Sequence, residues 1–295
     1  MRYFKYLFGI LIAAAFLALV FFLGGGQVES ESRGGQLRIV SLSPAVTEIL
    51  FALGMEEHIV GVTSVCDYPA EAKEIECIGG FGNPNIEKLF DLKPGLVIAT
   101  SFENKTTREI LQKGGVDVMD LKIRDFDELF AAVSKIGKMT GQGQRAEKLI
   151  ADMQAELKAV ENKYGGQADK NKPKIFVELW NSPLTTAGGQ SFIDEVITRA
   201  GGINVAGGVD GSYPIINPEK VIEWDPDVIV LCYMESDKAS VSQLAERIGW
   251  SEIKAVKSGR IINDIPLDII LRPGPRLVDG VKELAKRIES ADDAD

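Results

Sequence analysis

The sequence predicts an α/β protein: two Rossmann-like, doubly wound lobes joined by one long α-helix, with a ligand cleft between the lobes. Three observations carry that reading. Short apolar runs alternate with amphipathic stretches of helical period in both halves, the signature of parallel sheets covered by helices. The segment NIEKLFDLKPGLVIA, Asn85–Ala99, is echoed by NPEKVIEWDPDVIVL, Asn217–Leu231, so the chain builds the same unit twice. Between the two copies Ala146, Leu149, Ile150, Met153, Leu157 and Val160 form one apolar stripe, on a helix too long for a connection within a sheet.

Taken in order, the chain opens with Arg2 and Lys5 ahead of the uncharged apolar run Leu7–Leu23, which reads as an export signal or a membrane anchor. No Cys follows it closely, which excludes lipid attachment through an N-terminal Cys, and the polar Gln27–Gly35 reads as a tether. Residues 1–35 are therefore assigned to signal or anchor plus tether, and the body of the protein to the outside of the cytoplasm. Residues 36–141 make the first lobe. LRIVSLSP is a strand, followed by a helix whose inner face is Val46, Ile49, Leu50 and Leu53, with Ser43 as cap, Pro44 in the first turn and Gly54 at the end. Helix NIEKLFDL turns at Pro94 into Leu96–Ala99, whose unbroken hydrophobicity suits a parallel strand buried on both faces.

Residues 142–166 form the linking helix, roughly 20 residues and about 30 Å long, closed by Gly165 and Gly166. Residues 167–295 repeat the plan as the second lobe. KIFVELW is a strand, and SFIDEVITRAGG is a helix with Ile193, Val196, Ile197 and Ala200 inward, Ser191 and Asp194 as a capping pair, and Gly201 at its end. Pro226 then turns the chain into Val228–Leu231.

Composition narrows the function. A chain of 295 residues with 45% hydrophobic content buries a substantial core, and a net charge of -10 argues against a nucleic-acid surface. Three cysteines cannot make a disulfide framework; Cys66 and Cys77 could pair across CDYPAEAKEIEC, and Cys232 reads as a buried thiol. One histidine, His58, cannot supply the converging ligands of a bare metal-ion site. Neither a GxSxG elbow nor a phosphate loop occurs, so no enzyme and no resident cofactor are expected.

From Arg38 to about Ser290 the sequence resembles the periplasmic substrate-binding proteins of vitamin B12 and iron-siderophore ABC importers. The likeness is carried in order by RIVSLSPAVTEILFALG, VGVTSVCDYP, IGGFGNPNIEKLFDLKPGLVIA, the linking helix, INPEKVIEWDPDVIVL and LRPGPRLVDGVKELA. It implies a monomer that hinges little, holds a corrinoid or ferric chelate in the cleft, and delivers it to an ABC permease dimer with its ATPase subunits. Glu87 and Glu219 stand where the family places one acidic handle per lobe for the permease; by position alone they are ordinary first-turn helix acids.

Carried over by position, Phe81 in GGFGNPN and Tyr213 in GSYPIINPE form a symmetric aromatic pair for a corrin, with Trp180 and Phe102 as further ring candidates. Arg272 in LRPGPR, after the last apolar strand, suits an anionic group on the ligand, whereas Arg276 and Tyr68 read as framework. Val65 and Thr100 replace aromatics of the B12 pattern. A corrinoid is therefore followed by a ferric siderophore and then haem, for which Tyr213 would be the axial ligand. The reading from another class is a membrane-anchored scaffold or sensor.

Overall fold

The structure is a computed structural model that describes residues 37–100, 105–165, 171–233 and 241–292. The N-terminal signal or anchor and Phe102 lie outside the described residues. Among those that are described, no helix is long and apolar enough to cross a membrane.

The first half runs β1 (Ile39–Ser41), α1 (Pro44–Ala52), β2 (Ile59–Val62), β3 (Gly79–Gly80), β4 (Asn83–Pro84), α2 (Ile86–Asp91), β5 (Leu96–Thr100), α3 (Lys105–Lys113), β6 (Asp117–Leu121) and α4 (Phe126–Met139). Its four-stranded sheet has the order β2-β1-β5-β6, and every pairing is parallel. The apolar run in β5 is buried on both faces because helices cover both. The long helix α5 (Gly143–Tyr164) follows.

The second half runs β7 (Lys174–Asn181), β8 (Leu184–Thr186), α6 (Phe192–Arg199), β9 (Ile203–Asn204), α7 (Pro218–Trp224), β10 (Val228–Leu231), α8 (Val241–Glu246), α9 (Lys254–Lys257), β11 (Ile261–Ile262), α10 (Leu267–Ile270) and α11 (Leu277–Asp292). Strands β11, β10 and β7 are parallel neighbours; β9 pairs parallel with the start of β7, and β8 pairs antiparallel with its end. The apolar run before Arg272, read from sequence as the last strand, is instead the short helix α10. The last strand is β11.

The repeat extends to backbone detail. Asn85 caps α2 by accepting from Lys88 N at 3.0 Å, and Asn217 caps α7 by accepting from Glu219 N at 3.0 Å. Both helices end on a left-handed residue, Lys93 and Asp225, each at φ 46°, because the proline that follows disfavours continued helix. Ser43 departs from expectation: it occupies the cap position of α1 without a side-chain cap, and its Oγ accepts instead from Thr100 Oγ1 at 2.9 Å.

Helix α5 is seated rather than free-standing, packed along α4 and α11. Its Ala146, Met153, Leu157 and Val160 join a single core with Ile39, Ile49 and Leu96 of the first sheet and Ile175, Val177 and Val228 of the second. A helix embedded on several sides resists bending, which limits how far the two halves can swing.

Candidate functional site

In open α/β sheets the loops at the carboxyl ends of the strands form the binding crevice. In the first lobe, the chain leaving β2 returns beside it: Ile78 N donates to Val62 O at 2.9 Å, and Ser64 N donates to Gly79 O at 2.9 Å. It then turns tightly between β3 and β4, where Gly79 pairs with Pro84 and Gly80 with Asn83. Phe81 and Gly82 form the tip. Gly82 takes φ 77°, which a side chain would resist, and this turn leaves Phe81 57% exposed at the apex.

In the second lobe, residues 212–216 lie antiparallel along 184–188. Ile216 N donates to Leu184 O at 2.9 Å, Thr186 N to Pro214 O at 3.1 Å, and Gly188 N to Ser212 O at 3.0 Å. Alternate residues of an extended chain share a face, so Tyr213 and Ile215 point one way and Ile216 packs on the core. Tyr213 is 49% exposed and Ile215 68%. Ile215 stands opposite Thr185, and Thr185 opposite Trp180, which puts the three side chains abreast on one surface. A bulge between Glu178 and Trp180 makes this arrangement: the carboxylate goes inward to Arg247 while the indole stays exposed, its Nε1 donating to Ser182 O at 2.9 Å.

Phe81, Trp180 and Tyr213 are thus exposed rings at strand ends, in two groups, one per lobe, with no ring contact between Phe81 and Tyr213. Ile215 is a residue that sequence reasoning missed; in SYPIIN its alternation with the inward Ile216 was the available signal. Burial of its inner side pushes the Tyr213 phenol up to about 12, so it is neutral at any physiological pH.

Glu87 and Glu219 are exposed in the first turns of α2 and α7. Their neighbouring lysines are engaged elsewhere, Lys88 with Glu76 and Lys220 with Glu223, so neither carboxylate is neutralised from its own helix.

In the empty protein Arg272 already has a partner within the chain. Its guanidinium is held by the Asp67 carboxylate of the first lobe, Nη1 to Oδ1 at 2.5 Å and Nη2 to Oδ2 at 3.4 Å. The same pairing keeps the Asp67 carboxyl below its ordinary 3.8. Arg276 is framework, as expected: it donates to Glu48 Oε1 at 2.7 Å, to Glu48 Oε2 at 3.1 Å and to Asp268 at 2.7 Å, and it lies 3.7 Å above the Tyr68 ring.

The Cys66–Cys77 pairing is also corrected, since both are free thiols. Cys66 is turned into the core against Thr63 Oγ1 at 3.2 Å, whereas Cys77 is exposed with its Sγ toward Gly79 O at 3.7 Å. Cys232 is buried, and burial pushes its thiol up to about 12. His58 serves the backbone through Nδ1 and Leu37 O at 3.0 Å, and no group of three or more metal-ligating side chains occurs among the described residues. A cavity of about 760 Å³ opens between α1, the loop at Tyr68 and Arg276, with Glu56, Glu57, Glu71 and Glu74 in its lining.

Two α/β lobes, a helix packed between them and exposed rings at their strand ends define a two-lobed binding protein. The family described as periplasmic binding protein matches residues 39–266. An ABC transporter substrate-binding lipoprotein of Bacillus subtilis, YvrC, is 32% identical over 85% of this chain and 79% of its own. A vitamin B12-binding protein of Vibrio parahaemolyticus is 27% identical over 86% and 90%. The solved periplasmic haem-binding protein RhuT of Roseiflexus superposes with a TM-score of 0.77 at 29% identity, over 87% of this chain and 99% of that one. The chain belongs to the periplasmic binding protein family: it is a non-enzymatic, extracytoplasmic solute-binding component of an ABC importer of the B12, haem and siderophore group.

Proposed function

We propose that this component captures a corrinoid and presents it to its permease. The observation that carries the reading is the set of exposed rings, Phe81 on one lobe and Tyr213 with Trp180 and Ile215 on the other. A large flat ligand gains most of its affinity by covering such surfaces, and the site's polar demands are met by few groups. The vitamin B12-binding relative supports the same choice. Corrinoid is cargo here, and the protein requires no resident cofactor.

Haem is the second reading, favoured by the RhuT likeness and by an exposed tyrosine. A ferric siderophore, usually anionic, would have to compete with Asp67 for Arg272, at a cost of no more than about 1 kcal/mol, and is the third reading. Glu87 and Glu219 act as the two docking handles, one toward each permease subunit, on a monomeric receptor held near the membrane by Leu7–Leu23 if that segment is retained.

Calorimetric titration with cyanocobalamin, haem and a ferric siderophore panel tests the proposal. One-to-one binding tightest for cobalamin supports it. Binding of haem or a siderophore with silence toward cobalamin replaces the cargo, and silence toward all three removes it in favour of an anchored sensor.

A further inference from the structure

The segment from Asp264 to Arg276 belongs to the second lobe but reaches back to the first. Gly274 lies so close to α1 that an added Cβ would stand 3.2 Å from Glu48 Oε2 and 3.3 Å from Ala45 Cα. On either side of this contact an arginine takes a carboxylate of the first lobe, Arg272 with Asp67 and Arg276 with Glu48. The two pairs differ in exposure. Glu48 and Arg276 keep 3% and 15% of their side chains in solvent, Asp67 and Arg272 45% and 22%.

That difference separates their roles. Opening the inner pair would strand a buried charge, so it stays made. The outer pair is wet and weak, favouring its closed form by no more than about fivefold, and it breaks and re-forms thermally. Asp67 sits two residues beyond the exposed Val65, on the loop that leaves the carboxyl end of β2, so whatever holds Asp67 holds that loop of the crevice. The core around helix α5 limits bending between the halves, and the Asp67–Arg272 pair adds a tie at the crevice itself, where the β2 exit loop meets the second lobe.

We propose that Asp67 and Arg272 form a latch that sets the separation of the β2 exit loop from the second lobe, pivoting on the buried Glu48–Arg276 pair. The latch acts in the empty protein, so it stands apart from the identity of the cargo. Asp67 and Arg272 are positioning residues, and they need not touch the ligand.

The test is the distance distribution between dyes on the full-length protein, one on the exposed Cys77 and one on Asp210→Cys, with Cys66 and Cys232 protected by burial. Asp67→Ala and Arg272→Ala should each broaden the distribution to the same extent, and the double variant should broaden it no further. The charge swap of Asp67→Arg with Arg272→Asp should restore it, all with melting temperatures within about 4 °C of the parent, the most that loss of a wet pair worth about 1 kcal/mol allows. The unaltered pair should also broaden near 1 M salt, where screening reaches about 3 Å. The latch is overturned by single variants that match the parent, by effects that add in the double variant, by a swap that fails to restore, or by melting temperatures that fall beyond that range.

Discussion

Truncation of the exposed ring at the tip of the first lobe, Phe81→Ala, isolates ligand contact from folding. Phe81 is 57% exposed in the empty protein. An aromatic side chain offers roughly 150–250 Å², so on the order of 110 Å² of this one awaits cover. At about 25 cal/mol per Å², covering all of it is worth nearly 3 kcal/mol, and a flat ligand that covers one face gains about half, ~1.5 kcal/mol. The expected loss is therefore about tenfold in Kd for Phe81→Ala. Tyr213, at 49% exposed, yields nearly the same figure, and because the rings sit on separate lobes the double variant should lose about a hundredfold. Calorimetric titration with cyanocobalamin reads the effect, and thermal melting serves as the control, since a solvent-facing tip residue should move stability by less than about 0.5 kcal/mol. Affinities within twofold of the parent in both single variants would refute the clamp.

The remaining predictions concern docking, the buried acids and pH. Glu87→Ala with Glu219→Ala should abolish ligand-stimulated ATP hydrolysis by the reconstituted importer while leaving ligand affinity intact; normal coupling would show that the acids are only helix-terminal charges. Glu178→Gln removes the carboxylate, fully buried, that takes both terminal nitrogens of Arg247, at 2.7 and 2.8 Å. It should cost about 2–4 kcal/mol in urea unfolding, toward the lower end because Arg247 keeps 24% of its side chain in water. Burial raises the carboxyls of Glu48 and Glu178 above their ordinary 4.5, against the opposing pull of Arg276 and Arg247. The folded state thus binds more protons than the unfolded chain just above that value, and these two acids should make stability rise as pH falls from neutral toward 4.5. Asp67, held low, loses its contribution only below its ordinary 3.8. Scanning calorimetry between pH 7.5 and 5 should show that rise, and it should vanish in Glu48→Gln with Glu178→Gln; an unaltered slope in the double variant contradicts the assignment.

What was legible in the sequence was local. The Asn caps of α2 and α7, the prolines that end them and the buried stripe of α5 are encoded within a few residues of where they act, so pattern and propensity reach them. The failures come from partners far away. Arg272 looked available because the acid that takes it is 205 positions distant, and Ser43 looked like a cap because Thr100, 57 positions on, could not be seen to engage it. The run Leu267–Ile270 is apolar enough for a strand and too short for periodicity to decide; no neighbour accepts it as a strand, and it coils. Alternation in SYPIIN puts Ile215 and Ile216 on opposite faces, but which of the two turns outward is decided only by the pairing of Ile215 with Thr185.

The measurement that bears most directly on the account is a structure of the full-length protein with cyanocobalamin bound. The corrin should lie between the lobes, with Phe81 on one side and Tyr213 on the other, each with atoms within about 4 Å of it, and with Asp67 still on Arg272. A corrin seated elsewhere, above all in the acid-lined cavity beside Glu48, or one that leaves both rings in solvent, would contradict the account.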